Sequence, residues 1–386
     1  METYSIYHCS SHIPKSWDDV VKQHDIFLQL NYLKALEASA PNNIQLFYLG
    51  VFKNNELVGL AVIQRVQLYL KDMFRKTQVT CAKAILRTIV SKVLKGNILV
   101  VGNLTHTGQH GMFFNENKIS KTDYYNIVFK ALNELKKQIK STQNKTIRVI
   151  MFKDYFVEDA KYKAPLVLNT YKFRQVSVQP NMIMPLRSTW LNSNDYVLSL
   201  NKKYRDRYKR ARRKLSSIKS IELDLQSIGA NKKKLHSLYL NVSNNAKFNT
   251  FVLPENHFYA LKQHLKDNFR LFAYYLDGKI VGFYTLILNG EVLETYFLGY
   301  DSAYQYTHQL YLNMLYDMLK FGIENNFKAI VYARTAMAIK SSVGAKPKAM
   351  LVYIKHTNGI MNTVLKPVFS LMDPTQKWEE RHPFKQ

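Results

Sequence analysis

The chain repeats itself, and the repeat limits the fold more than any single motif does. Residues 45–65, QLFYLGVFKNNELVGLAVIQR, are two β-rich runs on either side of the turn Lys53-Asn54-Asn55-Glu56. Residues 271–287, LFAYYLDGKIVGFYTLI, have the same form around Asp277-Gly278, a strong two-residue hairpin signal. Leu57-Val58-Gly59 aligns with Ile280-Val281-Gly282. Phe27, in the helical run FLQLNYLKALE (27–37), aligns with Phe251, ahead of HFYALKQ (257–263), at nearly the same offset. Further on, YNIVFKAL (125–132) matches LNMLYDML (312–319), and a buried-type strand follows each, at 147–152 and 329–333. The offset of this last match is smaller, so the first copy carries about 36 extra residues, placed at Val66 to roughly Ile98. Chance similarity of short apolar runs could explain any one match, but three in the same order favour duplication.

The second copy reads as a pocket builder. After the hairpin come a strand (Glu291 to Tyr300), a loop, a long helix (Gln309 to Asn325), a strand (Lys328 to Arg334) and the motif KSSVGAKP (340–347). A chain of 386 residues has room for two domains. The expected division is 1–190 with the insertion at about 66–98, then 191–372, then a polar, peripheral tail at 373–386.

Lys and Arg total 55 against 28 Asp and Glu, a formal charge of +27, so the surface attracts polyanions such as nucleic acid, anionic lipid, coenzyme phosphates or an acidic carrier protein. The insertion is basic, and Lys83 to Lys95 reads as an amphipathic helix that lies on an anionic membrane, covers a groove, or packs on its own domain. Lys202 to Lys219 is a second basic helix, with ten cations and one acid, Asp206. Lys202, Lys203, Arg205, Arg207, Arg210, Arg212 and Arg213 are its candidate basic surface, for nucleic-acid phosphate, an acidic carrier or lipid, or as a solvated face. It carries no zinc-finger or RNA-recognition pattern. Cys9 and Cys81 are too few for a disulfide framework or zinc site. With no export signal and no apolar run of about 18 residues, a cytoplasmic setting is expected, with contact at the inner membrane face left open.

The runs NKKYRDRYKRARRKL (201–215), LYLNVSNNAKFNTFVLPENHFYALK (238–262) and ARTAMAIKSSVGAKP (333–347) resemble the tandem-GNAT, Fem-like acyltransferases. The resemblance implies an α+β (α/β) fold of two tandem GNAT-like domains, each a mixed, mostly antiparallel sheet flanked by helices. It implies transfer of an acyl or aminoacyl group from a thioester or ester to an amine. The donor would be acyl-CoA, an acyl carrier protein or an aminoacyl-tRNA, and the acceptor an amine-bearing small molecule, a lipid or a cell-wall precursor. In this family the strand before the long helix splays from its neighbour and its amides hold the acyl carbonyl, which here places the oxyanion site near Leu298, Gly299 and Tyr300. Alternation puts Glu294, Tyr296 and Leu298 on one face of that strand. Glu294 is then a candidate base, since burial disfavours the charged form of a carboxylate; a strand-edge carboxylate paired with an arginine is the other reading.

The family's glycine-rich pyrophosphate loop has no counterpart in Ser302 to Gln309. Gly102, Gly108 and Gly111 in the first copy read as turn glycines. Donors that lean on a basic surface fit this departure better than coenzyme A bound in the usual way. Tyr304, Gln305 and His308 are candidate substrate contacts or helix-capping residues. Arg334, Lys340 and Ser342 flank the turn where substrate enters, and Arg334 is suited to a carboxylate or phosphate. No nucleophile elbow, P-loop or metal-ligand spacing is present, which favours catalysis by positioning without a metal. The rival from another class is a non-catalytic GNAT-like protein that docks nucleic acid or membrane through the helix at 202–219.

Overall fold

The computed structural model describes residues 2–68, 96–163, 165–245, 250–363, 365 and 378–385. Most of the basic insertion, including the expected helix at 83–95, lies outside the described residues. The chain divides into two compact units: residues 1–179, 247–253 and 349–375 form one, and residues 180–246, 254–348 and 376–386 the other.

The first unit opens with β1 (Glu2–Tyr7), α1 (Ser16–Val21), α2 (Leu30–Ala38), β2 (Ile44–Lys53) and β3 (Glu56–Leu68). Then come β4 (Gly96–Val101), β5 (Met112–Phe114), α3 (Lys121–Gln143), β6 (Ile147–Phe156), α4 (Pro165–Thr170) and β7 (Arg174–Pro185). Strands β1, β2, β3 and β4 pair antiparallel in that order, and β6 adds parallel to β4. Asn54 and Asn55 turn the β2–β3 hairpin at φ 50° and 66°, the left-handed pair that a two-residue hairpin loop demands. Helix α3 starts where the Ser120 side chain accepts the Asp123 N–H and ends at left-handed Asn144. Its stripe of Tyr125, Val128, Leu132, Leu135 and Ile139 is buried in the core of this unit.

The second unit takes over within β7. It continues with α5 (Ser193–Ser199), α6 (Lys202–Lys214), β8 (Lys219–Glu222), α7 (Leu225–Ser243), α8 (His257–Leu265), β9 (Phe269–Leu276), β10 (Lys279–Asn289) and β11 (Val292–Tyr300). It closes with α9 (Ser302–His308), α10 (Leu310–Glu324), β12 (Ala329–Val331) and α11 (Met337–Ser341), before β13 (Lys346–His356) returns to the first unit and pairs antiparallel with β6. The end of β7 pairs with β12, β12 runs parallel to β11, and β11, β10, β9 and β8 follow antiparallel. The plan of the first unit thus returns: a hairpin (β2–β3, then β9–β10), a third antiparallel strand (β4, then β11), a long helix (α3, then α10) and a strand parallel to the third (β6, then β12). The duplication read from sequence is present in the fold.

Three local expectations need correction. Ser302 to His308 is a short helix rather than a loop, capped by the Asp301 carboxylate, and Gln309 at φ 49° separates it from α10. The strand expected to reach Arg334 stops at Val331, because Ala333, Thr335 and Ala336 all take positive φ (57°, 66° and 47°). The C-terminal segment is not peripheral at 378–385. Phe384 bridges to Leu200, and its ring packs against Trp190 and Tyr196 at centroid distances of 5.6 and 6.1 Å. Gly344, at φ 110°, makes room for that ring, since a Cβ there would lie 2.5 Å from it.

Candidate active site

The site grows from an irregularity in β11. Tyr284 pairs with Leu298 and Leu286 with Thr295, so Tyr296 and Phe297 together oppose Thr285 alone, which is a β-bulge. The Thr285 hydroxyl donates to the Phe297 carbonyl at 2.6 Å and fixes it. The bulge also corrects the expected alternation. Leu293 lies in the core with α10, and Leu298 and Tyr300 pack against that same core. Leu298 therefore shares the face of Leu293 and not that of Glu294.

On its other edge, β11 is paired with β12 only from Val292 to Glu294. Beyond that point β12 has ended and the two parallel strands part. The Asp301 N–H bonds to the Val281 carbonyl at 2.9 Å, which makes Gly282 and Tyr300 a non-hydrogen-bonded pair. Phe283 and Gly299 then exchange the ladder bonds, while the N–H groups of Leu298 and Tyr300 are directed away from β10, on the edge that β12 does not reach. The Asn241 amide confirms this direction by donating to the Tyr300 carbonyl at 3.3 Å. Of the three amides expected to face a carbonyl, that of Gly299 is spent in the sheet. Gly299 instead lets α7 close on the strand, since a Cβ there would lie 2.4 Å from the Leu238 carbonyl carbon.

Glu294 is the last residue of β11 held by strands on both sides, and it is 3% exposed. Nearby on the same strand, the Tyr296 hydroxyl lies 3.0 Å from His257 Nε2, with the two rings stacked.

The junction of α9 and α10 is tied up by its own side chains. The Gln305 amide oxygen accepts the Tyr311 N–H at 3.0 Å, which caps α10. His308 Nδ1 lies 2.8 Å from the Lys214 carbonyl, and the Asn313 amide donates to the carbonyls of Ala211 and His308. Gln305 and His308, candidates for substrate contact or for helix capping, make capping and packing bonds here, while Tyr304 is half-buried against the core of the unit. A bare helix start able to cradle pyrophosphate on main-chain amides is not what this junction offers.

A cleft of about 380 Å³ lies beside it, lined by Lys203, Tyr204, Arg207 and Arg210 of α6, Gln309 at the start of α10, and Glu379 and Arg381 from the C-terminal segment. Lys203, Arg207 and Arg210 recur at i, i+4 and i+7, so they share one face of α6. The Gln309 side-chain Oε1 is buried without a hydrogen-bond partner. Sequence reasoning missed Gln309, Glu379 and Arg381, which join α6 only through the fold.

The remaining cations of α6 divide. Lys202 and Arg213 are exposed and Arg205 is half-exposed. Arg212 is half-buried and held inward: its guanidinium pairs with Asp317 at 2.7 Å and donates to Asn313 at 3.2 Å. Burial works against its charge, but Asp317 outweighs this and raises its pKa. Tyr274 donates to the other oxygen of Asp317, and burial followed by that carboxylate pushes its phenol well above the usual range.

Arg334 is half-buried on the strained turn after β12. Lys340 and Ser342 turn inward instead of toward a ligand. The Ser342 hydroxyl donates to the Ile339 carbonyl, and the Lys340 ammonium donates to the carbonyls of Ala333 and Arg334 at 3.2 and 2.6 Å. Lys340 thereby pins the positive-φ turn. Burial pushes its pKa down to about 7. Because the folded value lies below the unfolded one, the unfolded chain binds more protons above neutrality, and stability rises with pH between these two values. Denaturant unfolding from pH 7 to pH 10 should show wild type gaining up to ~1.4 kcal/mol per pH unit relative to Lys340→Met. Parallel curves for the two proteins would remove Lys340 as the titrating group.

In the first unit the structure gathers a polar cluster that the sequence did not single out. His110 Nδ1 lies 2.9 Å from Asp25, whose burial alone would raise its pKa but whose imidazole partner holds it below the usual carboxylate value. Phe27 stacks on His106 with centroids 4.4 Å apart and touches the His110 ring at the same distance.

Residues 202–341 match the family model described as an acetyltransferase (GNAT) domain. No curated protein matches the sequence. Among solved structures, FemX superposes with a TM-score of 0.53 at 12% identity, covering 94% of this chain and 100% of that one. A tandem GNAT protein from the clavulanic acid biosynthesis pathway superposes with a TM-score of 0.51 at 9% identity, covering 93% and 99%. At these identities the structural matches speak to fold.

Proposed function

We propose that this chain, with a GNAT-type match over residues 202–341 and a fold similar to FemX and a tandem GNAT protein, is a tandem-GNAT, Fem-like acyltransferase whose second unit transfers an acyl or aminoacyl group to an amine beside β11. The observation that carries this reading is the parting of β11 from β12, with the Leu298 and Tyr300 N–H groups on the edge that β12 does not reach. The acceptor nitrogen attacks the donor carbonyl carbon, and the developing oxyanion takes those two N–H bonds. Glu294 takes the proton from the acceptor ammonium, directly or through water, to give the neutral amine that attacks, and the proton the nitrogen sheds after attack passes to the leaving group. Collapse of the tetrahedral intermediate breaks the carbonyl bond to sulfur or oxygen, and the carrier leaves as a thiol or hydroxyl once protonated. Every step uses positioned hydrogen bonds and one proton acceptor.

The donor's carrier bears phosphate, and the cleft on α6 receives it. Lys203, Arg207, Arg210 and Arg381 supply the positive charge that the blocked start of α10 does not. Coenzyme A, the carrier arm of an acyl carrier protein and the 3′ end of a tRNA all meet this requirement. Transfer from acyl-CoA and from aminoacyl-tRNA to small amines, amino lipids and cell-wall precursors, followed by mass spectrometry, identifies the pair. With the active donor, Arg207→Ala/Arg210→Ala should raise KM ~10–100-fold with kcat little changed, since a hydrogen bond to a charged group is worth ~1.5–3 kcal/mol. An unchanged KM would move the carrier out of the cleft, and absence of transfer with every donor would favour a binding protein.

A further inference from the structure

We infer that the outward side of the second unit formed by α5, α6 and α9 docks on an anionic lipid bilayer. This rests on residues outside the proposed acyl-transfer opening and stands or falls separately from it. Helix α6 has three sides. Tyr204, Ala211 and Leu215 are buried in the core, and Lys203, Arg207 and Arg210 line the cleft. Lys202, Lys209 and Arg213 project into solvent with a single acid, Asp206, among them. Helices α5 and α9 both pack against α6. Each brings a large apolar side chain that the fold leaves in water: Leu191 just before α5 is 80% exposed, Leu198 on α5 is 62% exposed, and Tyr306 on α9 is 85% exposed.

Cations alone would suit any polyanion. Exposed leucines beside them do not: nucleic acid offers a leucine no hydrophobic phase, whereas a bilayer interface takes up apolar side chains and holds the flanking lysines and arginines at the headgroups. Tyr306, apolar in its ring and polar at its tip, suits that boundary. The long cationic side chains can lay their methylenes along the interface while their charges reach anionic headgroups. Among the described residues no helix is long and apolar enough to cross a membrane.

The test is flotation of the whole protein with vesicles of phosphatidylcholine, with and without phosphatidylglycerol. Binding is expected only to the anionic vesicles and should fall as salt shortens the screening length. Leu191→Ser/Leu198→Ser, which leaves the net charge untouched, should lower partitioning about tenfold. Lys202→Ser/Lys209→Ser/Arg213→Ser should lower it at least as far. Neither variant should shift the melting temperature, because the altered side chains are exposed. Equal partitioning of the leucine variant would overturn the inference, as would tight binding to tRNA without binding to vesicles. A raised donor KM in the Arg207→Ala/Arg210→Ala protein with vesicle binding retained would separate the two sites.

Discussion

Glu294→Gln is expected to lower kcat by ~10²–10⁴ while leaving KM for the donor and the melting temperature near wild type. The substitution keeps the shape of the side chain and its power to accept a hydrogen bond, and removes its negative charge and its ability to take a proton. Position makes the residue suited to the task. Strands hold it on both sides, through Ile287 of β10 and Val331 of β12, and the next residue along β11 has lost its β12 partner. A base at the last fully braced residue before an opening is fixed in direction and close to where an amine would enter. Glu294→Asp, which keeps the charge but withdraws it by one methylene, should retain more activity than the glutamine variant. Full activity in both would take Glu294 out of the reaction and leave the paired amides as the whole of the machinery.

Gly299→Ala should be the most damaging single methyl group in the second unit. The added Cβ would sit 2.4–2.6 Å from three main-chain atoms of Leu238 and Tyr239 on α7, and a helix backbone has no rotamer with which to yield. Strand and helix must separate, which costs ~2–3 kcal/mol by the standard of overpacked cores. That corresponds to a melting shift of roughly 5–10 °C for a unit of this size. Activity should suffer more than stability. Leu298 and Tyr300 flank Gly299, so a shift of about 1 Å in this strand moves both N–H groups off the oxyanion and can cost ~10²-fold. Thermal unfolding followed by single-turnover transfer separates the two effects. A variant that melts like wild type would show that α7 and β11 do not meet as described.

The parts of this fold that were legible in sequence are those set by local chemistry. Asn54-Asn55 and Asp277-Gly278 announced their hairpins because few residues accept consecutive positive φ. The helices around 125–132 and 312–319 announced themselves by apolar period, and the order of elements revealed the duplication. What could not be read depends on partners distant in the chain. The bulge at Tyr296 and Phe297 leaves no mark on an alternating strand, because the residue it opposes, Thr285, lies on another one. The stretch 302–308 looked like a loop, yet Asp301 caps it as a helix, and sequence left Gln305 between ligand and cap, a choice that its bond from the Tyr311 N–H makes. Lys340 read as a substrate ligand or an exposed cation; two carbonyls of a strained turn hold it inside. Arg212 is indistinguishable in sequence from its neighbours on α6, and only Asp317 on α10 tells them apart. The anion cleft draws on residues from 203 to 381, a span over which no motif is legible.

The return of β13 to the first unit bears on the order in which the chain can fold as it leaves the ribosome. β6 is completed early, but the strand that covers its edge comes about two hundred residues later, after nearly all of the second unit has been made. Until then the first unit carries an open, apolar strand edge, the kind of surface on which other chains add. The nascent protein must therefore carry an incomplete first half through the whole synthesis of the second, and a chaperone that shields β6 would act during that interval.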